Sequence, residues 1–490
     1  MNRLKKIPFF IFLLPVFFCL HGLLENFEVL SLPEVLLTGF YICLALALLF
    51  LVLWLITKNK QHAALGSFYA GVCYLFFGAI QDWLQNIAWL SFLNRYLVLL
   101  PFLFISLAAL LYFLKRKPAL YRKLFLYLNM LLIIYCLVDT ALLLNRSFSS
   151  QKNSISSVSF DQEKVVSKPD VYYLLFDEYP GYKSLQSATG FKNDSLYSFL
   201  QHKGFTILPT FSNYNFTMFS MSSIFNMQYV EGNYNHDHDS ATQQDFRNRF
   251  REIKNASVFS IYRSMGYRFE NYSIFDIGDQ TCIDPQRSFL PVHSRVLTTK
   301  MLHYRLRKHI GWWFRGTMLQ DIFVNKEPIY YTDQINNDII NALNKSLLKK
   351  NGQPTFCYAH FMMPHAPYFR DSSGALISKN QRINLMDDQY FLPYLKYTNT
   401  VISSLVNKIV QHNPSAIVIV MSDHGFRDYK DHQRVNSPAF DNICALRLPG
   451  NDPLPGTTIR STVNFFRYLF NKGYNQQIPY LKDSTTWIKY

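Results

Sequence analysis

A chain that begins with five apolar runs has few folds open to it. The runs cover about residues 7–24, 35–57, 63–80, 96–114 and 124–144. A hydrocarbon layer about 30 Å thick takes roughly 20 helical residues to cross, and only a helix or a closed barrel satisfies its own backbone on the way. The front of the chain therefore reads as a bundle of five transmembrane helices. The third run is short and is interrupted by Gly66, Ser67, Gly71 and Gly78. The first run is not read as a cleaved signal, because no small-residue cleavage site follows it and four more runs come after it.

Charge gives the bundle a direction. Arg3, Lys5 and Lys6 precede the first run, Lys58 and Lys60 follow the second, and Lys115, Arg116, Lys117, Arg122 and Lys123 separate the last two. The alternate loops hold Glu25, Glu28, Glu34 and Asp82 against Arg95 alone. The excess of cations on cytoplasmic loops puts the N-terminus inside. Five crossings then leave everything after residue 145 on the outer face of the inner (plasma) membrane. The net charge of +16 is thus largely topology, and no nucleic-acid partner is expected. With 49% hydrophobic and only 17% charged residues, the composition is too apolar for a soluble protein of this length.

Residues 146–169 are rich in serine and polar side chains and read as a linker, leaving 170–490 as one outer domain. There the texture alternates. "DVYYLLFDEYPG", "RFENYSIFDIG", "PTFCYAHFMMPH", "SAIVIVMSDHG" and "DNICALRLPG" read as strands. "DSLYSFLQHKG", "NASVFSIYRSMGY" and "LPYLKYTNTVISSLVNKIVQHN" read as helices. Strands apolar throughout and separated by helices predict an α/β domain with a mostly parallel sheet covered on both faces. Of the seven cysteines, Cys357 and Cys444 fall in strand-like runs as buried thiols. One disulfide involving Cys282 stays open, and an odd count of three forbids pairing them all.

Ligands of such sheets bind at the carboxyl ends of the strands. Three strands end in chemically capable residues: Asp177-Glu178, His365 and Asp423-His424. Carboxylates with an imidazole make a mixed O/N donor set suited to Zn²⁺ or Mn²⁺. Asp177 and Glu178 point opposite ways along a strand, so one is a direct ligand and the other supports it; Asp177, the first residue past the apolar run, is favoured. Gly425 allows close backbone approach after Asp423-His424. In "TFSNYNFTMFSMSSIFNM", Asn213, Asn215 and Thr217 mark the entry of a helix reaching Met227. A hydroxyl there is either a nucleophile in the positive field of the helix end or a plain cap. Ser220, Ser222 and Ser223 lie inside the helix. His365, between Pro364 and Pro367, is positioned in advance to contact a substrate oxygen or protonate a leaving group. His360, within its strand, reads as a core histidine, and His432 sits on the loop returning from Asp423-His424.

Taken in order, "LLFDEYPG", "NYNFTMFSMSS", "SVFSIYRSMGY", "FMMPHAPY", "SDHG" and "DNICALRLPG" resemble the alkaline phosphatase/sulfatase superfamily. Within it they are most similar to the membrane-anchored branch of lipoteichoic acid synthases and phosphoethanolamine transferases. The resemblance spans about residue 170 to the C-terminus. It implies that Asp177, Thr217, Asp423 and His424 hold one catalytic metal, with Thr217 as nucleophile. It also implies that His365 and His432 bind substrate, with Glu178 and Asn215 as supporting neighbours. The implied reaction is a double displacement that carries a phospho-substituent from a phospholipid donor to an envelope lipid or glycan. The chain departs from the pattern in three ways. No C/S-x-P-x-R signature surrounds Thr217, which argues against a formylglycine sulfatase. Asp177 stands where the transferases usually carry Glu, and their set of disulfides is missing. A hydrolase using the same site, and a non-catalytic envelope protein, are the alternative readings.

Overall fold

The computed structural model describes the chain apart from residues 1–3, 5, 28, 118, 151–157, 233–239, 284–291, 311–327, 350–351, 378–384, 428–436, 451–458 and 490. It forms two compact units, Met1–Asn153 with Arg287–Glu327, and Ser154–Gln286 with Pro328–Tyr490.

In the first unit the apolar runs become α1 (Phe10–Glu25), α2 (Leu32–Thr57), α3 (Lys60–Leu75), α4 (Phe77–Gln85), α5 (Tyr96–Arg116) and α6 (Ala119–Ser150). Three of these, α2, α5 and α6, are long and apolar enough to cross a membrane. The pair α3 and α4, bent by 60°, makes a fourth if it counts as one span. Of the five expected spans, not all are met at full length among the described residues. The first run yields only 16 helical residues in α1, and the third breaks at Phe76. Two of the glycines that weaken the third run are packing contacts. A Cβ on Gly71 would lie 2.9 Å from Leu14, and one on Gly78 would lie 2.9 Å from the Lys300 carbonyl.

α1 and α6 run side by side in the same direction. Asn129, near the start of α6, accepts from the Phe10 amide and donates to the Leu4 and Ile7 carbonyls. At the other end His21 meets Asp139 at 3.3 Å and Arg146 donates to the Leu24 carbonyl at 2.8 Å. The fully buried Asn129 amide thus supplies a partner to a backbone donor at the entry to α1.

Residues 292–310, which the sequence assigns to the outer domain, belong to this first unit. Leu297 and Met301 are buried in its apolar core. Around them His293 meets Glu34 at 2.8 Å, Lys300 meets Glu25 at 3.1 Å and Arg305 meets Asp82 at 2.8 Å. The Lys300–Glu25 and Arg305–Asp82 pairs are partly exposed and contribute about 0–1 kcal/mol each, so the two apolar side chains, at roughly 1.5–3 kcal/mol apiece, contribute more to the docking than these two pairs.

The second unit is built on a six-stranded sheet in the order β2-β6-β5-β1-β4-β3. The strands are β1 (Val171–Phe176), β2 (Thr206–Ile207), β3 (Arg268–Tyr272), β4 (Thr355–Phe361), β5 (Ile417–Met421) and β6 (Cys444–Arg447). β1, β3, β4 and β5 are parallel, and only β6 runs against its neighbours. Alternation along β1 explains the two covered faces. Val171, Tyr173 and Leu175 pack with α9 (Thr217–Asn226), α11 (Ser257–Ser264) and the helix Phe465–Gly473. Tyr172, Leu174 and Phe176 pack with α7 (Tyr182–Thr189), α8 (Asp194–His202) and the helix Phe391–His412. A further helix, α10 (Gln243–Lys254), lies beside α9.

The expected linker over 146–169 is divided. Arg146 to Ser150 continue α6, whereas Val158, Phe160 and Val165 lie on the core of the second unit, Phe160 edge-on to Phe470 at 5.1 Å. These apolar side chains in a polar stretch gain more from burial than a solvated tether would. Cys357 and Cys444 are buried as expected, and burial pushes the Cys444 thiol up to about 12.

Candidate metal centre

The strand register builds the site. Leu175 of β1 is level with Met421 of β5 and His360 of β4. Two residues further along each chain, Asp177 and Asp423 therefore emerge side by side at the carboxyl edge. Asp177, Asp423 and His424 are at most 2% exposed, and one ligand atom from each lies within 4.8 Å of the others. His424 Nε2 stands 3.2 Å from Asp423 Oδ2 and 3.9 Å from Asp177 Oδ1. His424 Nδ1 lies 2.9 Å from the Gly425 carbonyl. A carbonyl only accepts, so the ring proton sits on Nδ1 and the Nε2 lone pair faces the carboxylates.

Thr217 is the first residue of α9, and Phe216 occupies the cap position without a side-chain cap bond. The Thr217 hydroxyl is therefore no cap. It lies 3.5 Å from His424 Nε2 and is the only member of the four that is partly exposed. Two of the three rival serines face elsewhere: Ser220 donates to the Tyr214 carbonyl and Ser222 to Glu252, while the Ser223 hydroxyl is buried inside the helix.

Gly425 meets a steric requirement. A Cβ there would sit 2.1 Å from the Pro438 carbonyl and 2.3 Å from that of Asp441. Its amide donates to the Ala439 carbonyl at 2.8 Å, which pins the loop behind His424.

Glu178, at φ 61°, turns away from the cluster in the left-handed region. Its amide donates to Asp423 Oδ1 at 3.1 Å. Its carboxylate accepts from the Arg427 amide and Nε at 2.9 and 3.0 Å. Arg427 Nη2 in turn lies 3.0 Å from His365 Nε2, and the guanidinium sits over the Phe216 ring. Arg427 was missed by sequence reasoning. Its position two residues past "DHG" was the available signal.

His360 was read as a core histidine. It is fully buried, yet its Nε2 has no hydrogen-bond partner and lies 3.7 Å from Asp177 Oδ2, while Nδ1 meets the Tyr358 hydroxyl. Asn215 was expected to support the site. Instead its amide pairs with both backbone groups of Ile488 and fastens the C-terminal segment. His432 lies outside the described residues.

The donor set fits a divalent metal. Asp177 Oδ1 and Asp423 Oδ2 are buried without hydrogen-bond partners, and both adjoin the His424 lone pair. Buried carboxylate oxygens are rarely left unpaired, and a cation is the natural partner for two of them. The charge balance agrees. Burial raises the Asp177 pKa, but the imidazoles of His365, His360 and His424 outweigh it and hold the group well below the usual carboxylate range. Asp423 moves the other way, raised first by burial and then by the charge of Asp177. Two carboxylates this close cannot both ionise cheaply without a cation between them.

A family model described as Sulfatase matches residues 188–457, more than half of the 490-residue chain. The chain belongs to the sulfatase family. As a member of that family it is an enzyme, and the matched stretch holds Thr217, His365, Asp423 and His424. Asp177 lies just ahead of it. Among solved structures, this sulfatase-family chain is similar to the C-terminal periplasmic domain of EcEptC from Escherichia coli in complex with Zn. The two are 12% identical with a TM-score of 0.42, over 69% of this chain and 94% of that one. BT1596, a 2-O GAG sulfatase, is 11% identical with a TM-score of 0.38, over 65% and 73% of the two chains. A sulfatase from the glycosaminoglycan locus of Bacteroides thetaiotaomicron is 12% identical with a TM-score of 0.37, over 62% and 72%. No curated protein matches the chain.

Proposed function

We propose that this protein is a membrane-tethered phosphotransferase that moves a phosphoethanolamine- or phosphoglycerol-type group from a lipid donor to an envelope lipid or glycan. The observation that carries this reading is the Thr217 hydroxyl. It is the partly exposed corner of an otherwise buried donor cluster, 3.5 Å from His424 Nε2. Asp177, Thr217, Asp423 and His424 would hold one Zn²⁺ or Mn²⁺. When bound, the metal supplies Lewis-acid polarisation and lowers the cost of deprotonating a hydroxyl.

The residues of the chain do the rest. Thr217 Oγ1, its proton released to solvent through its partly exposed side, attacks phosphorus; the Oγ1–P bond forms and the bond from phosphorus to the donor lipid's oxygen breaks. The departing oxygen takes a proton, and His365, 23% exposed beside Glu178, is the titratable group on the open wall. Burial and the Arg427 charge lower its pKa, but the charges of Asp177 and Glu178 outweigh them and raise it, favouring a protonated ring. With Nδ1 held by the Ala366 carbonyl, the proton to give is on Nε2, which parts from Arg427 Nη2 to hand it over. In the second half an acceptor hydroxyl attacks phosphorus, surrenders its proton and frees Oγ1.

The membrane unit supports an outer-facing site. α1 and α6 are parallel, so the ends of the bundle at residue 10 and residue 146 are opposite. The acids Glu25, Glu34 and Asp82, assigned outside by the charge rule, are the ones that pair with residues 292–310. A tether at the bilayer raises the effective concentration of a lipid donor. The family match favours hydrolysis as the second reading, with water as acceptor. Purified full-length protein given a phospholipid donor separates the two: transfer to an added acceptor alcohol supports the transferase, and rapid release of the headgroup without acceptor supports the hydrolase.

A further inference from the structure

α9 carries Thr217 at its first residue and ends at Asn226 with Met227 as its cap, roughly 15 Å away at 1.5 Å per residue. Next to that far end lies a cavity of about 410 Å³ whose lining includes Gln228, Arg467, Lys164, Asp161 and Gln477.

Arg467 is 6% exposed. Its Nε and Nη2 donate to the Met227 carbonyl at 3.0 and 2.7 Å, and Nη1 donates to the Pro479 carbonyl at 2.5 Å. A guanidinium has five N–H donors, so two remain, one on each terminal nitrogen. All of its partners among the described residues are neutral carbonyls. Buried cations are almost always matched by an acid, and the cavity wall holds this one without a match.

Lys164 adds a second cation. It pairs with Asp161 only loosely, at 3.6 Å with both side chains nearly half exposed. Asp161 is committed elsewhere through Oδ1, which accepts from the Glu163 amide.

We propose that this cavity is a second ligand site, separate from the metal centre, for a small organic phosphate monoester. Arg467 anchors the phosphate from within and Lys164 meets it at the rim. Two cations against one committed carboxylate suit a dianion better than a single carboxylate. The volume exceeds that of a bare oxyanion and falls in the range of small-molecule sites. Because Arg467 also holds the Met227 carbonyl, a bound phosphate braces the end of the helix that starts with Thr217.

The test is calorimetric titration of the full-length protein in detergent with glycerol 3-phosphate, with glycerol and acetate as controls. Binding to the cavity predicts one saturable site for the phosphate, no heat from glycerol and weaker binding of acetate. The Asp423→Asn variant, altered only at the metal centre, retains that site. Lys164→Glu, a change at a half-exposed side chain, weakens it by at least about fivefold, and Arg467→Gln abolishes it. Should Arg467→Gln fail to fold, Lys164→Glu still decides. The proposal is overturned if glycerol 3-phosphate does not bind, if Lys164→Glu binds as the parent does, or if acetate binds equally well. Loss of binding in Asp423→Asn would also overturn it, by moving the anion to the metal centre.

Discussion

Replacing Asp423 with asparagine should make the metal-free protein more stable while removing its response to metal. In the native cluster the ligand oxygens of Asp177 and Asp423 lie within 4.8 Å of each other, both buried. At an effective dielectric constant near 20, two charges at that separation repel by about 3.5 kcal/mol. Part of this is already relieved, since the raised pKa of Asp423 lets it protonate, with its Oδ2 3.2 Å from the His424 Nε2 lone pair that can accept the proton. A net gain of about 1–2 kcal/mol remains, or about 2–3 °C in melting temperature for a unit of this size. Asparagine retains an Oδ1 to accept from the Glu178 amide, so the loop geometry survives. The assay is thermal unfolding of full-length protein in detergent, with chelator and with added Zn²⁺ or Mn²⁺. Metal at one hundred times its dissociation constant should stabilise the parent by about 2.7 kcal/mol and the variant by almost nothing. The pair also sets a pH signature. An acid whose folded pKa is raised stabilises the fold below its unfolded value and loses that contribution as pH rises through the folded one. The metal-free parent should therefore gain on Asp423's account as pH falls through its raised pKa toward the ordinary 3.8, and the variant should lose that gain. A variant that melts below the parent in chelator, or shifts equally with metal, would refute the reasoning.

Other substitutions follow from the same geometry. Arg427→Ala leaves the 1%-exposed Glu178 carboxylate without its main cation and should cost about 3–5 kcal/mol; Glu178→Gln, which strands only the more exposed guanidinium, should cost less, as chemical denaturation can measure. Gly425→Ala drives a methyl into the Pro438 and Asp441 carbonyls and should cost at least about 1–3 kcal/mol together with most activity, read by unfolding and transfer assays. Asn213→Ala removes bonds to Ser461, Thr462, Val463 and Ser484 and should destabilise the second unit by about 3–4 kcal/mol, at roughly 1 kcal/mol each.

How legible the site was depended on the kind of information each residue needed. Asp177, Asp423 and His424 each end an apolar strand, and strand ends are visible in sequence. Thr217 could be set at a helix entry, but whether its hydroxyl capped that helix or faced the cluster required the distance to His424. His360 is a core histidine as read, but its approach to Asp177 was not legible, because the residue type and its strand were visible while its register was not. Only the pairing of Leu175 with His360 brings that ring against Asp177. Arg427 follows a glycine turn whose direction depends on the close passage of residues 438–441. Asn215 was misassigned because its partner, Ile488, is more than 270 residues away. In the membrane unit the apolar runs showed the helices, but not that Asn129 would fix α1 against α6. Nor did composition separate residues 292–310 from the outer domain, because Leu297 and Met301 look like ordinary core residues of either unit.

The central claim is that Thr217 takes the phospho-group. The direct measurement is mass spectrometry of the peptide containing Thr217 after full-length protein meets a phospholipid donor without acceptor. A mass increase of one phospho-substituent on Thr217, discharged on adding an acceptor alcohol and missing in Thr217→Ala, is the predicted result. Turnover with Thr217 unmodified, or an active Thr217→Ala variant, would contradict it.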